Sequence, residues 1–327
     1  MSIKAAGATT RPVALSPSRA VEFKNCPLLY RFRTIDRLPE LSSPAAARGT
    51  LVHAVLEELF GRPAGERTVE AAAEAVLPTW ERLTAADPSF AEAVAEPTRQ
   101  QWLASAEPLL RSYFQLEDPT RFSAESRELL IEVDLDGALP LRGFIDRLDV
   151  AATGEVRVVD YKTGQSPGES FELSALYQLK FYALMILRTR GVVPVQLKLL
   201  YLGNGRELTY APDEAELLAF ERSLGSLWDA IQLARRTGDF QPHKGRMCSW
   251  CSFQSLCPEY GGTPPPYPGD PADGDLATAI GDDPPPSAAP RSPILSPGES
   301  RPAARRRAAE PRRQRRQHRL LPNGDQQ

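Results

Sequence analysis

The sequence predicts an α/β protein built on a mixed central sheet flanked by helices. Three observations carry this. Between Arg127 and Gly164 the chain runs ELLIEVDLDG, PLRGFIDRLDVA and GEVRVVDYKTG, short β-branched segments separated by turn residues. Helical periodicity precedes them from Ala45 to about Phe60 and returns from about Glu172 to Arg190. A further strand pair and a long helix then follow, so strands and helices alternate through the second half.

In chain order, Ser16-Pro17-Ser18 caps a short helix that should stop near Cys26-Pro27, because proline disfavours the helical conformation of the residue before it. AAARGTLVHAVLEELF places Leu51, Val52, Val55, Leu56 and Leu59 on one helical stripe, with His53 and Glu57 one turn apart on another face. Two stretches, Val69 to Ala86 and Phe90 to Phe114, are rich in Ala, Glu and Leu and predict a helical lobe without a chemical motif. VQLKLLYLGNGRELTYAP predicts a hairpin turning through Gly203-Asn204-Gly205. A long helix begins at Asp213, with Glu216 as capping-box partner, and ends near Gly238. There is no internal repeat and no Gly-rich phosphate loop.

Composition bounds the function. Proline is concentrated beyond Gly261, so residues 262–327 are expected to form a disordered tail. Of the net charge of −3, the tail holds ten Arg against eight acidic residues, leaving 29 basic and 34 acidic residues in the body. An acidic body argues against a nucleic-acid-binding protein unless its basic residues are clustered in a groove. No apolar stretch follows a basic start and no eighteen apolar residues run together, so a cytoplasmic protein without a membrane anchor is expected. In a reducing compartment the four cysteines suggest a metal or cluster site before disulfides.

The chemistry concentrates in Gly143-Phe144-Ile145-Asp146-Arg147-Leu148-Asp149 and Val158-Val159-Asp160-Tyr161-Lys162-Thr163-Gly164. Side chains alternate along a strand, so Asp160 and Lys162 share a face and Tyr161 takes the other. Pairing Val150 with Val156 sets Asp146 opposite Asp160. Two carboxylates held together call for a divalent cation with oxygen ligands, and a neighbouring lysine can handle a water or offset charge on a phosphate. Taken alone, Asp-x-Lys on a strand is also the pattern of an exposed ion pair.

RGTLVHAVLE around His53, GFIDRLD around Asp146, VVDYKTG around Asp160 and Lys162, and QLKFY from Gln178 to Tyr182 resemble the ordered motifs of the PD-(D/E)XK nucleases. Within them the likeness is to the RecB-type exonucleases and the CRISPR-associated four-cysteine nucleases. It spans about Leu15 to Tyr260 and is weakest from Val69 to Phe122. The resemblance implies a restriction-endonuclease-like core with a helical N-terminal portion. It also implies that His53, Asp146, Asp160 and the backbone carbonyl of Tyr161 bind magnesium or manganese, and that Lys162 activates the attacking water. Gln178 and Tyr182, one turn apart, would support Lys162 or touch the DNA backbone. The implied reaction is phosphodiester hydrolysis of single-stranded or frayed DNA in repair or recombination, leaving a 5′-phosphate and a 3′-hydroxyl, with any helicase or repair partner on a separate chain. Glu57 is a candidate neighbour of the metal; Arg48, Arg147 and Asp149 are expected to be structural or DNA-facing.

Cys248-x2-Cys251-x5-Cys257, joined by the distant Cys26, can hold zinc or an iron–sulfur cluster, and thiolate chemistry alone does not choose. The resemblance implies a [4Fe-4S] cluster tying the two ends of the domain together. The expected organisation is a flexible stretch over residues 1–14 and a nuclease domain over 15–261. That domain has a helical insertion at about 65–122 and a cluster segment at 242–260 plus Cys26. The tail over 262–327 carries an Arg-rich run from Arg301 to Arg319 that either attracts nucleic acid or has no function. Two rivals remain open at this point: a noncatalytic DNA-binding or scaffolding protein of the same fold, and a zinc hydrolase using the cysteines and His243.

Overall fold

The computed structural model describes residues 14–40, 42–94, 98–166 and 169–269; the expected tail and N-terminal stretch lie almost wholly outside them. Helix α1 (Pro17–Asn25) starts where predicted, with the Ser16 hydroxyl accepting the Arg19 N–H at 3.3 Å. It ends at Cys26, and α2 (Pro27–Tyr30) runs on into a π-helical turn over Arg31–Ile35. Ser43 caps α3 (Pro44–Gly61), which carries the predicted apolar stripe.

The two long helical stretches expected next are broken into α4 (Val69–Glu74), α5 (Val76–Ala86), α6 (Ser89–Glu92), α7 (Arg99–Ala104) and α8 (Glu107–Leu116). Pro78, Pro88 and Pro108 each fall in or just before a first turn, where a missing N–H costs nothing, whereas mid-helix it would.

Five strands follow: β1 (Ser126–Leu135), β2 (Leu139–Val150), β3 (Val156–Lys162), β4 (Gln196–Tyr201) and β5 (Arg206–Tyr210), in that spatial order. All neighbours are antiparallel except β3 and β4, which are parallel because α9 (Glu169–Arg190) crosses over between them. The sheet is therefore mixed, as predicted. Helix α10 (Glu214–Thr237) is capped by Asp213, which accepts the Glu216 N–H at 2.8 Å. The capping box is only half made: the Glu216 carboxylate instead meets the Tyr210 hydroxyl and Lys180.

Strand alternation divides the interior into two cores. Val156, Val158, Leu197 and Leu199 pack with α1, α9 and α10, while Val159, Tyr161, Leu200 and Leu202 pack with α3, α4, α5 and α8. Alternation fails at one place. Leu139, Leu141, Ile145 and Leu148 of β2 all join the first core, and Ile145 through Asp149 are buried without interruption. Opposite this break, Glu128 of β1 has a φ of 42°, in the left-handed region.

The register predicted between β2 and β3 is present from Val150↔Val156 to Arg147↔Val159 and ends there. Asp146 and Asp160 are thus not a ladder pair. The ladder opens because the Asp146 carboxylate takes the Tyr161 N–H, at 2.7 Å, in place of a β2 carbonyl. Among the described residues, no helix is long and apolar enough to cross a membrane.

Candidate active site

The open end of the β2–β3 ladder faces α3. His53, buried on that helix, places Nδ1 3.3 Å from Asp146 Oδ2 and 3.6 Å from Glu128 Oε1, while Nε2 lies 3.0 Å from the Tyr161 carbonyl oxygen. His53, Glu128 and Asp146 each offer one ligand atom, and these lie within 4.8 Å of one another. Burial pushes the Glu128 carboxyl up, with Asp146 and Glu57 adding to the rise and His53 opposing it. Glu57 itself is exposed, one turn beyond His53.

Beside this group sits a second one on β3 and α9. Lys162 Nζ is 2.5 Å from Asp160 Oδ2 and donates to Gln178 Oε1 at 2.8 Å. The Gln178 amide donates in turn to Asp160 Oδ1 at 3.0 Å and to the Tyr182 hydroxyl at 2.9 Å. Gln178 is thereby a clamp on both charged residues. Gly143 makes room for this arrangement: a Cβ there would stand 2.8 Å from Tyr182 Cε1. The loop leaving Lys162 is held at its far side, where Gly203 approaches the Gly164 backbone so closely that a Cβ would lie 2.5 Å from its carbonyl carbon. Asn204 there accepts the Ser166 N–H and donates to its hydroxyl.

Tyr161 joins the two groups through its peptide, whose N–H serves Asp146 and whose carbonyl faces His53. Its ring points the other way, as strand parity requires, and its hydroxyl accepts from Arg147 Nη1 at 2.8 Å. Arg147 is fully buried, paired with Glu117 and Asp149 and lying over the rings of Phe60 and Phe122 at 4.8 and 4.9 Å. Arg147 and Asp149 are therefore structural, not DNA-facing. Burial raises the Glu117 carboxyl, but Arg147 and Lys198 outweigh it and hold Glu117 below its ordinary value. Arg48 is turned to Ser105 of the helical lobe.

An imidazole nitrogen among carboxylates, His53 Nδ1 with Asp146 and Glu128, is a donor set that fits manganese or magnesium; the Tyr161 carbonyl lies at the other ring nitrogen, and the neighbouring Lys162 ammonium suits a phosphate. Of the four ligands that the resemblance implied, His53, Asp146 and the Tyr161 carbonyl lie near one another. Asp160 lies with Lys162, Gln178 and Tyr182. Glu128 was not foreseen, although counting the β1–β2 register back from Leu135↔Leu139 at the Asp136-Gly137 turn reaches it opposite Asp146.

The four cysteines are all half-buried thiols. Cys26 Sγ accepts the His243 N–H at 3.5 Å, and Cys248 Sγ accepts the Gly245 N–H at 3.2 Å. Among the described residues, no three of these sulfurs lie within 4.8 Å of one another.

A family model described as the PD-(D/E)XK nuclease superfamily matches residues 14–258. The Gene 69 protein of Mycobacterium phage D29 is 30% identical over 204 residues, covering 54% of this chain and 70% of that protein. One of the subunits of the ATP-dependent helicase/deoxyribonuclease of Streptococcus mutans is 29% identical over 172 residues, covering 51% of this chain but only 15% of that much longer polypeptide. A crystal structure from Eubacterium rectale, provisionally described as an exonuclease, superposes with a TM-score of 0.49 at 13% identity, covering 73% of this chain and 86% of that one.

Proposed function

The chain belongs to the PD-(D/E)XK nuclease superfamily, and from that premise we propose that it is a magnesium- or manganese-dependent deoxyribonuclease of RecB type, acting as an exonuclease on single-stranded or frayed DNA. The observation that carries this reading is the meeting of two groups across one peptide: His53, Glu128 and Asp146 on one side of Tyr161, and Asp160, Lys162 and Gln178 on the other.

In this reading His53, Asp146, Asp160 and the Tyr161 carbonyl hold the cation. When bound, the cation supplies Lewis-acid stabilisation of the phosphate and acidifies a water. The protein residues do the rest. Lys162 presents its ammonium to the phosphate and the attacking water, kept in place by Asp160 and by the Gln178 oxygen. Tyr182 steadies Gln178 from one turn away.

The four cysteines are proposed to hold a [4Fe-4S] cluster in preference to zinc. The preference rests on the resemblance carried by Cys26 and Cys248-x2-Cys251-x5-Cys257; the backbone N–H groups aimed at two of the sulfurs suit metal-bound thiolates of either kind. Cytoplasmic action in DNA repair or recombination beside a separate helicase fits the likeness to one segment of a helicase/deoxyribonuclease polypeptide.

The test is digestion of end-labelled DNA by the anaerobically purified protein with magnesium or manganese. Lys162→Ala should cut about 10²–10⁴-fold more slowly while still binding the DNA. If neither cation supports cutting, the nuclease reading fails and a noncatalytic DNA-binding role takes its place.

A further inference from the structure

Glu128 is held at a backbone cost that the strand itself does not require. It lies in mid-strand between the pairs Arg127↔Arg147 and Leu129↔Ile145, directly across from Asp146, yet with a φ of 42°. L-residues other than Gly, Asn and Asp rarely adopt that conformation, and such strain persists where the surroundings demand it. Its carboxylate reaches inward to 3.6 Å from His53 Nδ1. The side chain is 31% exposed, whereas those of His53 and Asp146 are each 7% exposed, so Glu128 stands on the solvent side of the pair.

We propose that Glu128 is a further ligand of the divalent-cation site, adding a carboxylate to His53 and Asp146 from the solvent side. The inference rests on the metal-dependent reading above and deepens it. A further protein donor on the open side adds charge attraction for the cation and narrows the space left for water and phosphate. The alternative is that the left-handed backbone serves only to reset strand alternation, turning Arg147 into the helical-lobe core. In that case the side chain is dispensable.

The two ideas separate because glycine accepts a φ of 42° without strain but has no carboxylate. Manganese binding by the full-length protein without DNA, followed by electron paramagnetic resonance or calorimetry, is compared with thermal melting of the metal-free protein for Glu128→Gln, Glu128→Gly and Asp146→Asn. The expected result is roughly tenfold weaker manganese binding in both Glu128 variants, with Glu128→Gly melting no lower than the parent. If both Glu128 variants bind manganese as the parent does while Asp146→Asn does not, the inference falls and the site reading stands. If Asp146→Asn also binds like the parent, the metal-site reading itself fails. Weakened binding that appears only together with a lower melting temperature in both Glu128 variants also overturns the proposal, since it assigns Glu128 a purely structural role.

Discussion

Replacing Arg147 by Met removes a guanidinium with no exposed surface and tests whether the helical lobe is tied to the active site through it. The substitution keeps a long apolar stem but breaks the pairs to Glu117 and Asp149 and the bond to the Tyr161 hydroxyl. Breaking a buried ion pair from one side costs about 3–5 kcal/mol, because the remaining charge stays buried. Here the lower end applies. Glu117 keeps Lys198 at 3.2 Å and Asp149 keeps Arg157 at 2.8 Å, so neither carboxylate is left without a cation. A loss of about 3 kcal/mol corresponds to a fall in melting temperature on the order of 6–12 °C for a domain of this size. At a temperature where both proteins are folded, the variant should also need more manganese for half-maximal cutting. The reason is that the Tyr161 ring is released while its peptide serves Asp146 and His53. A melting temperature within about 2 °C of the parent, an interval that corresponds to about 1 kcal/mol or less, would refute the reasoning. So would an unchanged manganese requirement alongside the expected destabilisation, since that would leave Arg147 as a local anchor only.

Three other outcomes follow from the same geometry. Gly143→Ala should destabilise by about 1–3 kcal/mol and slow cutting, since the new Cβ displaces the Tyr182 ring from Gln178; a variant as stable and active as the parent would show that the ring has room to move. Glu117 is held below its ordinary value of 4.5, so its contribution is present above that pH and is lost as pH falls through the depressed value. The stability gap between parent and Glu117→Gln should therefore shrink below pH 4.5, and a gap constant from neutral pH down to about pH 3 would count against the buried pair. Finally, Cys257→Ala should lower the melting temperature while Asp160→Ala mainly abolishes cutting; equal melting temperatures would sink the proposed structural role of the cluster.

Much of the site was legible in the sequence because its information is local. Two-residue periodicity separates Asp160 and Lys162 from Tyr161, and the same parity appears in the packing of β3 against opposite cores. Caps at Ser16 and Asp213, the Gly203-Asn204-Gly205 turn and the Val150↔Val156 register are likewise set by residues a few positions apart. Tertiary structure decided what periodicity cannot express. A single residue in the left-handed region, Glu128, coincides with a break in alternation on the neighbouring strand, which buries Asp146 and Arg147 in succession and stops the ladder before Asp160. Arg147 looked as suited to a DNA phosphate as to a core because a lone arginine carries no sign of its partners. Its burial rests on Glu117 and Asp149 and on the rings of Phe60, Phe122 and Tyr161, most of them contributed by helices and loops far away in the chain. The sequence by itself picked out His53, Asp146, Asp160, Lys162, Gln178 and Tyr182 as candidates, because local parity and motif spacing are written along the chain, while only the folded chain brought Glu128 beside His53 and set the Tyr161 peptide between the two groups.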